Sequence, residues 1–148
     1  MKSNMLIVHG GAPTAVMNST LYGAIVKAKE SVEIGKFYAA LGGSRAVLLE
    51  KFIDLKEVDE KSLNMLLNTP SSAIGTSRDH LTEENYDEMV DVLIKNNIKY
   101  VLFNGGNGSM DTCGKLCKAA KNTEIRIMGI PKTIDNDILV TDHAPGFG

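Results

Sequence analysis

Long apolar runs are missing from this sequence, and so are an excess of positive charge and any internal repeat or low-complexity linker. No run approaches the roughly 20 residues that cross a bilayer as a helix. The opening "MKSNMLIVHGG" holds one lysine and a four-residue apolar stretch from Met5 to Val8, too short for a secretory leader. A cytoplasmic location is therefore expected. Lys and Arg total 16 against 18 Asp and Glu, a formal net charge of −2. That balance gives no general pull toward nucleic acid or an anionic membrane. Cysteine is scarce: Cys113 and Cys117 are the only two. Their spacing puts both on one face of a helix, but the three histidines (His9, His80 and His143) are scattered. A zinc site has no companions for the pair, and two buried, reduced thiols are expected.

What is present fits one globular domain: 148 residues, 43% hydrophobic and 23% charged. "NMLIVHGG" reads as a buried strand ending in two glycines. "TAVMNSTLYGAIVKAKE" has helical spacing, with Thr14 placed as its N-cap. "EIGKFYAAL" is a second strand, and Gly42-Gly43 marks a turn. Between residues 44 and 59 a short helix and a strand-like piece are expected, and "DEKSLNMLLN" is a short helix stopped before Pro70. "TEENYDEMVDVLIKNN" is an amphipathic helix capped by Thr82, with Glu83 and Glu84 at its positive end. "KYVLFNGGNGS" runs from a strand into a glycine-rich loop, followed by the helix "MDTCGKLCKAAK" and the strand "EIRIMGIP". This alternation predicts an α/β fold, a three-layer doubly wound parallel sheet. Ligands in such sheets sit at the carboxyl ends of the strands. Three unusual loops fall at that edge: residues 10–13, 105–109 and 131–137.

"NGGNGS" between a strand and a helix is a phosphate-cradle pattern, because glycines admit an anion to backbone N–H groups at a helix start. Glycines also end strands merely to turn, so the signal alone is weak. "HGGAPTAVMNS" has the same form and is aimed at the same edge. "IGTSRDH" adds Arg78, whose guanidinium suits a fork to phosphate oxygens. "GIPKTIDNDI" then concentrates a lysine, a threonine and two aspartates. Phosphoryl transfer to an alcohol needs a carboxylate for the hydroxyl proton, cations for the phosphates, and magnesium. In a strictly extended chain Asp135 and Asp137 would point the same way. The alternative is an aspartate-rich turn without chemistry.

Taken together, "HGGAPTAVMNS", "IGTSRD", "GGNGSMDT" and "GIPKTIDNDI…TDHAPGFG", in this order, resemble the 6-phosphofructokinase family. The pairing of "GGNGS" with "PKTIDND" roughly 25 residues later is specific as motifs go. The resemblance covers the N-terminal, donor-binding half of family members. It implies that residues 1–148 are the phosphoryl-donor-binding domain, that a sugar-phosphate domain follows in the complete protein, and that this piece alone does not turn over. The implied reaction is the glycolytic transfer of a phosphoryl group to the 1-hydroxyl of fructose 6-phosphate with Mg2+, in a dimer or tetramer.

By motif position the resemblance makes Asp135 the base and makes Asp137 an organiser of metal and base. Thr133 lies beside the transferred group. Gly10, Gly11, Arg78, Lys132 and the run Gly105, Gly106, Asn107, Gly108, Ser109 surround the donor, with Gly11 lending its N–H. Asn107 and Asp137 are the metal-side pair. Asn107 stands where many members have aspartate, and an amide brings no charge to a metal. The donor signals conflict. Gly108 resembles ATP-using members, because a side chain there would crowd a nucleotide's α-phosphate, whereas Lys132 resembles pyrophosphate-using ones. Steric exclusion is harder to evade than a flexible lysine, so ATP is the donor expected, with pyrophosphate second. A non-catalytic nucleotide-binding or regulatory module is the alternative function.

Overall fold

The computed structural model describes residues 2–147. Strand β1 (Ser3–His9) is central, and its apolar run is buried on both faces. Helix α1 (Val16–Glu30) leads to β2 (Ile34–Ala40), then come the short α2 (Arg45–Leu48) and β3 (Phe52–Asp54). Helix α3 (Glu60–Met65) continues as a 3-10 turn over Leu66–Asn68. The second half is α4 (Glu83–Lys95), β4 (Ile98–Gly105), α5 (Asn107–Ala119) and β5 (Arg126–Pro131). No helix among the described residues is long and apolar enough to cross a membrane.

The sheet order is β3-β2-β1-β4-β5, with β1 parallel to both β2 and β4, and β4 parallel to β5. The α/β doubly wound fold is thus as expected, with one correction: β3 runs antiparallel to β2, so the sheet is mixed. Residues 41–51, which carry α2, are all that join β2 to β3, short of the dozen or more that a parallel crossover needs, so the chain returns antiparallel. The chain leaves β1 toward β2 and later re-enters on β1's other side as β4. That reversal opens a crevice at the carboxyl ends of β1 and β4, the usual ligand position in such sheets.

Alternation along the strands divides the core. Leu6, Val8, Val101 and Phe103 face Met89, Leu93 and Leu116 of α4 and α5. Ile7 and Leu102 face Leu21 and Ile25 of α1, with Phe37 beside them. Side chains of this size each stabilise by about 1.5–3 kcal/mol when fully buried, so both layers hold the strand ends rigidly. Helix α4 begins as its sequence demands. Thr82 Oγ1 accepts from the Asn85 backbone N–H and Asn85 Oδ1 accepts from that of Thr82, a reciprocal cap.

The start of α1 differs. Ala15 occupies the cap position without any side-chain bond. Thr14 does not cap; its hydroxyl is buried with no partner among the described residues. Of the two cysteines, Cys113 is buried and its thiol is pushed up to about 11 by desolvation, whereas Cys117 is exposed, against expectation. Position 117 lies on the rim of α5's buried stripe, which its four-residue spacing from Cys113 does not reveal.

Candidate active site

Two glycine turns close on each other at the crevice. A Cβ on Gly105 would lie 2.2 Å from Ser109 Oγ and 2.7 Å from the Gly10 carbonyl oxygen, and one on Gly10 would also meet Ser109 Oγ at 2.2 Å. Real Cβ atoms do not approach a backbone oxygen so closely, so position 105 requires glycine, whereas at Gly10 the Ser109 hydroxyl would have to turn aside. Gly105→Ala is expected to cost about 1–3 kcal/mol by overpacking. Gly108→Ala, where a Cβ meets nothing within 4 Å, is expected to stabilise the helix by about 0.5–1 kcal/mol. Urea unfolding of the two variants side by side measures both.

The loop expected over 105–109 is shorter than its glycines imply. Helix α5 starts at Asn107, with Gly106 as its cap and no side-chain bond to its first N–H groups. Asn107, Gly108 and Ser109 are therefore the first helical turn, whose free N–H groups and positive dipole end face the crevice. Gly11 adopts φ +74°, a left-handed backbone suited to glycine. Its N–H, expected to serve a phosphate, instead reaches the Ser77 carbonyl at 3.3 Å. That long bond ties the first turn to the segment carrying Arg78.

The third loop leaves β5 by way of a bond from the Lys132 N–H to the Gly105 carbonyl at 3.0 Å. Asp135 and Asp137 do not point the same way as in an extended chain, because Asn136 between them has φ +51°. Asn136 is held there by its own amide, which accepts from the Ala144 N–H and donates to the Asp142 carbonyl. Asp137 turns back: its Oδ1 accepts from Thr133 Oγ1 at 2.6 Å and its Oδ2 from Asn107 Nδ2 at 2.6 Å. The Thr133 hydroxyl bond, with the smaller help of Asn107, holds the Asp137 carboxyl below the usual carboxylate range. Thr133 Oγ1 also accepts from the Asp135 N–H at 3.0 Å. The Asp135 carboxylate itself has no hydrogen-bond or ion-pair partner among the described residues and stands exposed.

A cleft of about 420 Å³ joins these parts, lined among others by Gly11, Arg78, Gly106, Lys132, Thr133 and Asp135. Asn107, Gly108, Ser109 and Asp137 line it too. Gly10 and Gly105 lie just behind as buried supports. All the residues singled out from sequence thus meet at one crevice. Lys132 is the unexpected one. It is 3% exposed, its Nζ lies 3.6 Å from where a Cβ on Gly11 would sit, and 3.9 Å from that on Gly106. No carboxylate lies within ion-pair distance of it among the described residues. Burial, and then the Arg78 guanidinium, push its ammonium below the ordinary lysine value, with Asp135 only partly opposing. A buried cation without a counter-charge is costly unless an anion binds there.

Sequence reading missed the support behind Arg78. Asp79 Oδ2 accepts from the Arg45 N–H at 2.8 Å and from the Ser77 hydroxyl, and Ser77 Oγ accepts from the Ser44 N–H at 3.1 Å. Gly43, at φ +85°, lets Ser77 pack where a Cβ would clash. Only the short polar run "TSRDH" hinted at this.

The residues also suit a magnesium ion of a particular kind. Among the described residues no cluster of three His, Cys, Asp or Glu side chains is arranged to hold a metal. Magnesium at phosphate sites takes one or two carboxylates and completes its shell with phosphates and water. Asp137, with the Asn107 carbonyl beside it, fits that limited role.

A family-level sequence profile described as "Phosphofructokinase" matches residues 4–148. The chain is 36% identical over 148 residues to a pyrophosphate–fructose 6-phosphate 1-phosphotransferase of Rhodospirillum rubrum, covering 99% of this chain and 37% of that protein. It is 32% identical over 96 residues to an ATP-dependent 6-phosphofructokinase of Amycolatopsis methanolica, covering 64% of this chain and 20% of that one. The crystal structure of a pyrophosphate-dependent phosphofructokinase from Nitrosospira multiformis superposes with a TM-score of 0.88 at 32% identity, covering 98% of this chain and 37% of that one. The chain thus spans little more than a third of the length of these two pyrophosphate-dependent relatives.

Proposed function

The chain belongs to the phosphofructokinase family, and on that premise we propose that it is the donor-binding domain of an enzyme that phosphorylates fructose 6-phosphate from pyrophosphate. The observation that carries the donor is Lys132, a buried ammonium set between the two glycine turns with no counter-charge of its own. Pyrophosphate is compact enough for both of its phosphoryl groups to lie among Lys132, Arg78 and the α5 N-terminus, which offset most of its charge. The relatives named as pyrophosphate-dependent match nearly the whole chain, and the ATP-dependent one matches less of it. This replaces the ATP expected from Gly108. Open space at that glycine admits a nucleotide but does not require one.

In this reading Asp135 takes the proton of the attacking sugar hydroxyl, being exposed to the cleft and free of other partners. Thr133 orients the loop, binding Asp137 and the Asp135 backbone at once. Asp137 and Asn107 would hold magnesium, which shields phosphate charge when bound. Gly10, Gly11 and Gly105 provide the wall of the cradle, and the first turn of α5, Asn107 to Ser109, provides its N–H groups. On this reading the sugar-phosphate site and part of the oligomer contacts lie in the rest of the protein.

The test is a coupled assay of the full-length protein with fructose 6-phosphate, magnesium and each donor. Turnover with pyrophosphate well above that with ATP is expected. The reverse order would return the donor to ATP, and binding without turnover on either would favour a regulatory module.

A further inference from the structure

The Asp135 carboxylate has no partner among the described residues, so only its backbone can aim it. Packing does not hold that backbone beyond Thr133, for Ile134 is 51% exposed. What holds it are the residues on either side. Thr133 donates its N–H to the Pro145 carbonyl at 2.9 Å. Asn136 accepts from the Ala144 N–H at 2.9 Å and donates to the Asp142 carbonyl at 3.1 Å. Both anchors end on one short strap, residues 142–147. The strap is itself fixed. Ala144 is fully buried, the Phe147 N–H returns to its carbonyl at 3.2 Å, and His143 Nε2 meets the Phe147 carbonyl at 2.8 Å. Gly146, at φ +95°, sits where a Cβ would come within 3.0 Å of Thr14 Oγ1 and 3.1 Å of the Thr133 carbonyl oxygen. The strap is thereby pressed between the entry to α1 and the loop that carries Asp135.

Three demands meet at position 136. Its φ of +51° is uncommon except for glycine, asparagine and aspartate. The bond from Ala144 needs an acceptor, and the bond to Asp142 needs a donor. Glycine meets the first demand alone. Aspartate meets the first two but sets an oxygen against the Asp142 carbonyl. Asparagine meets all three. Asn136 does not line the cleft, so it reaches the reaction only through its neighbours. Of these, Asp137 keeps its own bonds to Thr133 and Asn107, while the Asp135 carboxylate has none to fall back on.

We propose that Asn136 is a positioning residue, which points the Asp135 carboxylate into the cleft by clamping the loop to residues 142–147. The inference rests on the reading of Asp135 as the base. It adds that the direction of that base is set from the strap and not from the donor cradle. Neither bond of Asn136 goes to Lys132, Arg78 or α5, so the clamp serves the chemical step and leaves donor binding alone.

In the full-length protein Asn136→Gly keeps the backbone angle and removes both bonds. Its kcat is expected to fall about 10- to 100-fold, the scale of loss when a reacting group is misplaced by about 1 Å, with the donor KM unchanged. Hydrogen–deuterium exchange over residues 142–147 is expected to quicken in the same variant, a readout that needs no turnover. The deciding measurement combines Asn136→Gly with Asp135→Ala. If Asn136 acts through that carboxylate, the double variant turns over no more slowly than Asp135→Ala alone. A double variant slowed further by the factor seen in the parent overturns the positioning role. So does a donor KM that rises as kcat falls, or unchanged exchange over 142–147. Should Asn136→Gly fail to fold, Asn136→Asp, which keeps the bond from Ala144, goes through the same cycle under the same criteria. Asp135→Ala by itself judges the reading beneath. Unaltered turnover in that variant, or none with either donor in the parent, overturns the base and this inference together. A slow Asp135→Ala with a still slower double variant overturns the inference alone.

Discussion

Asp135→Ala in the full-length protein is expected to lower kcat by about 10²- to 10⁴-fold, the usual worth of a positioned general base. Its stability should stay within about 0.5 kcal/mol of the parent, as for exposed substitutions that break no contact. The division follows from geometry. The Asp135 carboxylate is exposed and unbonded, and what anchors the residue is its backbone N–H on Thr133 Oγ1, which alanine keeps. Asp137 is the contrast. Both of its oxygens are engaged, by Thr133 and Asn107, so truncating it also unfastens the loop from α5. Saturating-substrate kinetics beside thermal unfolding separates the two. An Asp135→Ala protein with unaltered turnover would move the base elsewhere in the cleft.

The parts legible in the sequence were those encoded locally and redundantly. Helix α4 has its cap, acidic first turn and apolar stripe within one window, and Thr82 and Asn85 do what their spacing says. Strands β1 and β4 are apolar runs ending in glycine pairs, and their turns face one crevice as that pattern implies. Misread features depended on remote partners. Asn107, Gly108 and Ser109 are poor helix formers, yet Ser109 packs between Gly10 and Gly105 and draws the helix start back over them. Thr14 has the composition of a cap, but the chain enters α1 with Ala15 already helical. The relation of Asp135 to Asp137 turned on the left-handed Asn136, which is fixed by Asp142 and Ala144 farther along. The antiparallel β3 is too short for any period to show.

Lys132 was legible as a type and illegible as an environment, and its replacement is the sharpest test of the donor. Lys132→Met keeps the aliphatic stem and removes the ammonium, so donor affinity is expected to fall about 10- to 100-fold, as for a lost charge-assisted hydrogen bond. The fold should not weaken. Since burial and Arg78 set the folded pKa of Lys132 below its unfolded value, protonation is less favourable in the folded state. At neutral pH the charged lysine therefore opposes folding. That opposition eases as pH rises through the lowered folded pKa toward the ordinary lysine value, so the parent gains stability across that alkaline window and Lys132→Met does not. Pyrophosphate reverses the balance by supplying the missing counter-charge. Added at saturating concentration, it should raise the unfolding temperature of the parent far more than that of the variant, because stabilisation follows RT ln(1 + [L]/Kd). Equal shifts in the two proteins would mean that the anion sits elsewhere and that Lys132 is buried for packing alone.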